Sequence, residues 1–175
     1  MNIGYCIICH RNTNILRTTI EILSKGNNNI YLHVDKKADI DDFYEYIDKV
    51  NFSEERIDVS WGRYSQIECM LILLKVAAKD NCDYICLLSG DCLPLKNSEE
   101  IKEFFTENKG KEFIGIQKKC NKEELENNIK YEHNALYLKK NRNALEAIIS
   151  KIQSKVKPLK ISEVYKLLPK LYGKV

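Results

Sequence analysis

The stretch Tyr84-Ile-Cys-Leu-Leu-Ser-Gly-Asp-Cys-Leu-Pro-Leu95 joins an uninterrupted apolar run directly to a polar loop. Such a run is typical of a strand that is buried on both faces, as in parallel sheets covered by helices. In the loop, Ser89 adds a hydroxyl, Gly90 permits a close backbone approach, Asp91 offers a charge, and Pro94 fixes the exit. The stretch therefore predicts a parallel α/β sheet with a ligand-binding loop, and a plain connection to the next helix is the alternative.

Strands and helices alternate along the chain on both sides of this stretch. Apolar runs predict strands at residues 2–9, 30–34, 57–59, 84–88 and 113–116. Helical spacing predicts helices at residues 40–50, 65–79 and 98–106, a first helix that ends near residue 24, and further helices at 143–155 and 162–168. Asn12 or Asn14 is the expected cap of the first helix and Ser98 that of the helix at 98–106. This alternation predicts a mostly parallel, Rossmann-type sheet with helices on both faces. From residue 117 the pattern weakens, and residues 135–138 are a candidate further strand.

Composition excludes several classes of protein. The 175 residues carry a formal net charge of only +3 and no basic stripe interleaved with aromatic residues, so we expect no nucleic-acid partner. The N-terminal apolar run Tyr5 to Cys9 is far shorter than the roughly 20 residues of a membrane span, and no signal-peptide cleavage site follows it. We therefore expect a cytoplasmic protein, and peripheral contact with a membrane surface stays open.

The seven cysteines mostly lie within apolar runs, where a thiol behaves as a small hydrophobic group. Cys6 and Cys9 form a C-x-x-C pattern, but residues three apart on one strand point to opposite faces of the sheet. We therefore expect buried structural thiols rather than a zinc or redox site.

Polar residues follow four of the predicted strands, at residues 10–11, 35–37, 60–63 and 89–92. Ligands of open parallel sheets bind at the carboxyl ends of the strands. These loops therefore predict a site for a ligand that carries a heterocycle, hydroxyl groups and negative charge. The sequence contains neither G-x-G-x-x-G after the first strand nor G-x-x-x-x-G-K-[ST], which argues against a dehydrogenase or an ATPase.

Two residues of these segments and one nearby motif have two interpretations each. Asp35 either accepts hydrogen bonds from a nucleoside or caps the next helix. Trp61 either stacks on a ligand or anchors the core beneath the next helix. Asp39-Ile-Asp41 fits the metal-binding D-x-D pattern, but acidic residues are favoured in the first turn of a helix, and we expect that role here.

Five motifs, taken in order, resemble those of the core-2/I-branching enzyme family, which includes branching β-1,6-N-acetylglucosaminyltransferases, protein xylosyltransferases and bacterial relatives. They are Ile-Cys-His-Arg (8–11), His-Val-Asp-Lys-Lys (33–37), Val-Ser-Trp-Gly (59–62), Leu-Ser-Gly-Asp-Cys-Leu-Pro-Leu-Lys (88–96) and Glu-Phe-Ile-Gly (112–115). The resemblance implies a GT-A-like fold and an inverting transfer from a UDP-sugar, with GlcNAc or xylose as the sugar, to a glycan hydroxyl.

The resemblance also assigns residues. It implies that Ile7 and Asp35 hold the uridine and that Asp58 touches the nucleotide. It also implies that no divalent metal is needed, because basic residues late in the chain neutralise the diphosphate. The family loop has its acid one place after Asp91, where this sequence has Cys92.

The resemblance further divides the chain into a nucleotide-sugar-binding core at residues 1–116 and a helical extension at 117–175, the incomplete start of the acceptor half. In the family the general-base Glu comes beyond a stretch similar to Leu171-Tyr-Gly-Lys-Val175, where this sequence ends. We therefore expect a transferase that lacks its catalytic base. The alternatives are a non-catalytic nucleotide-sugar-binding or partner module and an unrelated α/β nucleotide-binding domain.

Overall fold

One parallel sheet organises the N-terminal part of the chain. Its strands are β1 (Ile3–Cys9), β2 (Asn29–Val34), β3 (Asn51–Phe52) and β4 (Tyr84–Ser89). The computed structural model pairs them all in parallel, in the order β3-β2-β1-β4. The order reverses at β1, since β2 and β4 lie on its two sides. This confirms the predicted α/β class and is consistent with a GT-A-like fold.

The structure describes residues 1–26, 28–115 and 143–153. The chain divides into two compact units, Met1–Glu112 and Phe113–Val175. The sheet belongs to the first unit. The boundary predicted between residues 116 and 117 stays a prediction. In the described ranges no helix is both long enough and apolar enough to cross a membrane.

Two helices of the first unit connect strands, and a third follows β4. They are α1 (Asn14–Ser24), α2 (Tyr64–Lys79) and α3 (Ser98–Glu107). The cap of α1 is Thr13, whose hydroxyl accepts from the Leu16 N–H at 3.2 Å, and not Asn12 or Asn14. The cap of α3 is Asn97, whose side chain accepts from two backbone N–H groups, and not Ser98. Both predicted caps were therefore misplaced by one residue.

In the second unit, helix α4 (Ala144–Gln153) lies within the predicted range 143–155. The strand predicted at 135–138 and the helix predicted at 162–168 fall outside the described residues, as does the end of the strand predicted at 113–116. Residues 113–115 are described and do not form a strand.

The two faces of the sheet carry separate apolar clusters. One packs against α1 and α3 and includes Tyr5, Ile7 and Cys9 of β1. The other packs against α2 and includes Cys6. Cys6 and Cys9 therefore face opposite sides, and burial raises the pKa of each thiol to about 12. Thiols with such pKa values stay protonated and unreactive at neutral pH, as the sequence predicted.

Two predicted elements between β2 and α2 were wrong. The helix expected at residues 40–50 is only a short 3₁₀ helix, Asp41–Tyr46. The strand expected at 57–59 does not form, and the strand that pairs with β2 is Asn51–Phe52. A short apolar run does not by itself specify a strand, and the N–H of Ile57 donates to a side chain instead of a neighbouring strand.

Candidate functional site

The carboxyl ends of β1, β2 and β4 lie side by side at one edge of the sheet. The N–H of Asp35, just after β2, donates to the carbonyl of Cys9 at 2.8 Å. The N–H of Gly90, just after β4, donates to the carbonyl of Ile8 at 2.8 Å. The strand pairing thus continues into the loops and brings residues 10–11, 35–37 and 89–92 to the same edge.

A lysine joins the two predicted carboxylates. The Nζ of Lys37 lies 3.1 Å from Asp35 Oδ1 and also donates to Asp58 Oδ1 and to the carbonyl of Val59 at 2.7 Å. Asp35 and Asp58 therefore lie within reach of one ammonium group, although the chain between them does not form the predicted strand. Partial burial lowers the pKa of Lys37, but the hydrogen bonds to Asp58 and Asp35 outweigh this effect and raise the pKa. Lys37 is therefore charged at neutral pH.

The environments of Asp35 and Asp58 differ. The side chain of Asp35 is 7% exposed and that of Asp58 is 65% exposed. Asp35 Oδ1 also accepts from the backbone N–H of Lys37 at 2.9 Å, which forms a tight turn after β2. Asp35 is therefore held in one orientation. Its interpretation as the cap of the next helix is wrong, because that helix begins after Ile40 and has no side-chain cap. The predicted contact of Asp35 with a nucleoside stays a prediction.

Arg56 fixes the backbone of this turn. Its guanidinium donates to the carbonyls of Val34 at 3.1 Å, Asp35 at 2.8 Å and Ala38 at 2.5 Å. The sequence analysis did not single out Arg56, because no motif surrounds it and its partners lie about 20 positions away in the chain.

His33 of β2 supports the segment that carries Asp58. Its imidazole is fully buried, and Nε2 accepts from the N–H of Ile57 at 3.0 Å. Burial lowers the pKa of His33; Asp35 opposes this shift and Arg56 adds to it. The neutral imidazole is required for this bond, because a protonated ring has no acceptor.

We predict that the free energy of unfolding falls as the pH drops below about 6.5, the ordinary pKa of histidine. The native pKa is lowered, so the unfolded chain binds more protons between the two pKa values, and stability is lost there as pH falls. Denaturant unfolding at several pH values between 5 and 8 measures the effect. A His33→Gln variant, which keeps an acceptor for Ile57, should show a flatter profile. Identical slopes for the two proteins would contradict the prediction.

Close packing explains the glycine of the loop after β4. A Cβ at Gly90 would lie 2.6 Å from the Cβ of Cys9 and 3.2 Å from its Cα. The close approach predicted from the sequence is therefore made to strand β1. Ser89 and Asp91 are exposed beside it, and the Ser89 hydroxyl accepts from the Asp91 N–H at 3.4 Å.

The other two predicted site residues, Trp61 and Ile7, differ in their exposure. Trp61 is 66% exposed just before α2, so its interpretation as a core anchor is wrong. Ile7 is fully buried in the cluster that faces α1. Ile7 therefore adds no accessible surface to this edge. Its predicted contact with a nucleotide would require a side chain that is buried in this structure.

The D-x-D pattern takes the structural role that we expected. Asp39 Oδ1 accepts from the backbone N–H of Asp41 at 3.1 Å, at the start of the 3₁₀ helix. Among the residues that the structure describes, no group of three or more His, Cys, Asp or Glu side chains could hold a metal ion.

A family model described as Core-2/I-Branching enzyme matches residues 3–158. The chain belongs to this family. The match spans the sheet and all the predicted site residues, and it confirms the resemblance drawn from the five motifs. The family implies glycosyltransferase activity, and hence a sugar donor and a glycan acceptor. No curated protein matches the chain in sequence.

Proposed function

We propose that the protein binds a UDP-sugar at the carboxyl edge of the sheet. In this proposal it takes part in the transfer of the sugar, GlcNAc or xylose, to a glycan hydroxyl with inversion at the anomeric carbon. The family supports the general reaction. The position of Asp35, buried and held at the end of β2, is the observation that carries the assignment of the nucleotide.

Asp35 has the chemistry to recognise a nucleoside. A carboxylate in a fixed orientation accepts hydrogen bonds from a base N–H or a ribose hydroxyl. Such bonds to a charged group contribute about 1.5–3 kcal/mol each, more than neutral ones. The turn around Asp35 is held by Arg56 before any ligand arrives, so binding has little ordering entropy to overcome.

Other residues of the edge complete the proposed site. The exposed indole of Trp61 provides a face on which a base or sugar ring can stack. Asp58 contributes an exposed carboxylate, which pairs with the ammonium group of Lys37. Ser89, at the end of β4, adds a hydroxyl, and Asp91 of the following loop adds a carboxylate. We propose binding without a divalent metal, as the resemblance implies.

Calorimetric titration of UDP into the purified chain tests the proposal. We expect saturable binding that weakens about tenfold or more in Asp35→Asn, since the charged acceptor is lost. Asn keeps an oxygen for the Lys37 N–H, so the turn should persist. Asp48→Asn, which removes an exposed carboxylate away from the edge, is the matched control and should bind as the wild type does.

Two outcomes would count against the proposal. If the folded protein does not bind UDP, the proposed nucleotide site is refuted. The non-catalytic module would then be the preferred hypothesis. Stronger binding of ATP or NAD than of UDP would favour an unrelated nucleotide-binding function. Circular dichroism of each variant shows whether it is folded.

A further inference from the structure

Two hydrogen bonds fix the backbone of Ile57 to strand β2 and the turn after it. The carbonyl of Ile57 accepts from the N–H of Lys36 at 3.0 Å, and the N–H of Ile57 donates to Nε2 of His33 at 3.0 Å. The first bond joins two backbone groups, as in a sheet, but the second uses a side chain where a neighbouring strand would supply a carbonyl. His33 therefore provides the acceptor that keeps this segment against β2.

The imidazole of His33 is placed for this one bond. It is fully buried and lies on the face of β2 that also carries Tyr31, whereas Leu32 and Val34 pack on the other face. With Nε2 accepting, the neutral ring carries its proton on Nδ1. Nδ1 is buried without a hydrogen-bond partner among the residues that the structure describes. A buried donor without a partner costs free energy, so an apolar side chain would suit this position better if His33 served only packing.

The bond at Ile57 bears directly on Asp58, the next residue. The side chain of Asp58 is 65% exposed, so packing does not fix its position. Its carboxylate accepts from Lys37 Nζ, which also lies 3.1 Å from Asp35 Oδ1. Asp35 belongs to the turn after β2, so the separation of the two carboxylates depends on how firmly Ile57 is attached to β2.

Arg56, the residue before Ile57, does not duplicate this attachment. Its guanidinium donates to three carbonyls at the end of β2 and in the turn after it, and it therefore holds Asp35. These bonds are made through a long side chain, so they leave the backbone next to Asp58 to the bond from His33. Arg56 and His33 thus act on different carboxylates of the proposed site.

We propose that His33 is a positioning residue of the nucleotide site, which holds the carboxylate of Asp58 in place beside Asp35 through the backbone of Ile57. The proposal rests on the proposed function. Two carboxylates held apart can accept hydrogen bonds from separate donors of one nucleoside, such as a base N–H and a ribose hydroxyl. If Asp58 were loosened, it would have to be ordered on binding, and part of the affinity would be lost.

UDP titration of two amide variants tests the role of His33. In His33→Gln the amide oxygen can lie near the place of Nε2 and accept from Ile57. In His33→Asn, which is one methylene shorter, it lies near the place of Nδ1 and does not reach Ile57. We expect His33→Asn to bind UDP about tenfold more weakly than the wild type and His33→Gln to bind within about threefold of it. Equal affinities of these two neutral variants would overturn the proposal.

A double-mutant cycle shows whether His33 acts through Asp58. If it does, adding His33→Asn to Asp58→Ala should weaken UDP binding by less than about twofold, because the carboxylate that it positions is already absent. Added to Asp35→Asn, whose turn is held by Arg56, the same change should keep its effect of about tenfold. An undiminished effect in the Asp58→Ala background would overturn the proposal, since His33 would then act by general destabilisation.

Amide hydrogen exchange, measured by NMR without ligand, distinguishes the failure of this proposal from that of the proposed function. The Ile57 amide should exchange faster in His33→Asn than in the wild type and in His33→Gln. The amide of Ser53, which donates to the Leu32 carbonyl at 2.9 Å, is the internal control and should not change. Unchanged exchange at Ile57 would refute the role of His33 even in a protein that binds UDP. If the wild type does not bind UDP, the proposed function fails, and the role of His33 in binding fails with it.

Discussion

Replacing Gly90 with alanine is expected to destabilise the unit Met1–Glu112 by about 1–3 kcal/mol, the usual effect of forcing extra atoms into a packed interior. The new Cβ would lie 2.6 Å from the Cβ of Cys9, and the backbone of Cys9 lies too close behind it to yield. The ends of β1 and β4 would have to separate, which would also displace Ser89 and Asp91. Denaturant unfolding followed by circular dichroism measures the change.

A control and a double mutant make this prediction specific. Gly115→Ala adds a Cβ that meets no atom within 4 Å among the residues that the structure describes, and it should leave the free energy of unfolding nearly unchanged. Cys9→Gly removes the closest atom, so the variant Cys9→Gly with Gly90→Ala should be less destabilised than the sum of the two single changes. Additive effects would show that the contact between Gly90 and Cys9 is not the cause.

Arg56→Ala is expected to destabilise the protein by about 1–3 kcal/mol or more, because partly buried carbonyls of Val34, Asp35 and Ala38 would lose a charged donor. Arg56→Lys should recover only part of the loss, since an ammonium cannot reproduce the planar fork of donors. Thermal and denaturant unfolding measure both effects.

Arg17→Ala provides the comparison for Arg56. It removes an ion pair to Glu45 whose side chains are 46% and 42% exposed, and such solvent-exposed pairs contribute little to the free energy of unfolding. If the Arg17 and Arg56 variants were equally stable, the prediction that the three hydrogen bonds of Arg56 stabilise the protein would be wrong. We also expect Arg56→Ala to weaken UDP binding, because the turn that holds Asp35 would loosen.

Much of the fold was predictable from the sequence because it depends on local patterns. Uninterrupted apolar runs located β1, β2 and β4, since a strand that helices cover on both faces has no polar side. The same logic predicted that Cys6 and Cys9 face opposite clusters. The strand predicted at 57–59 was wrong because a pattern of three residues is too short to specify a strand. The backbone N–H of Ile57 donates to the side chain of His33 instead of to a neighbouring strand.

The candidate site shows the limit of local patterns more clearly. Motifs pointed to Asp35, Asp58 and Gly90, but not to Arg56. They left open whether Trp61 is buried, and the structure shows that it is exposed. The residues that share an ammonium, Asp35 and Asp58, are 23 positions apart and meet only because the segment before α2 returns to the end of β2.

By itself, the sequence determined the family, the α/β class and the edge of the sheet at which polar residues collect. Buried residues recur with the period of a strand or a helix, so the spacing of apolar residues in the sequence indicates which element forms. Only the tertiary structure decided which polar groups hold the site in place and which glycine is sterically required. Those roles depend on distances of about 3 Å between residues remote in sequence, which arise only once the chain has folded.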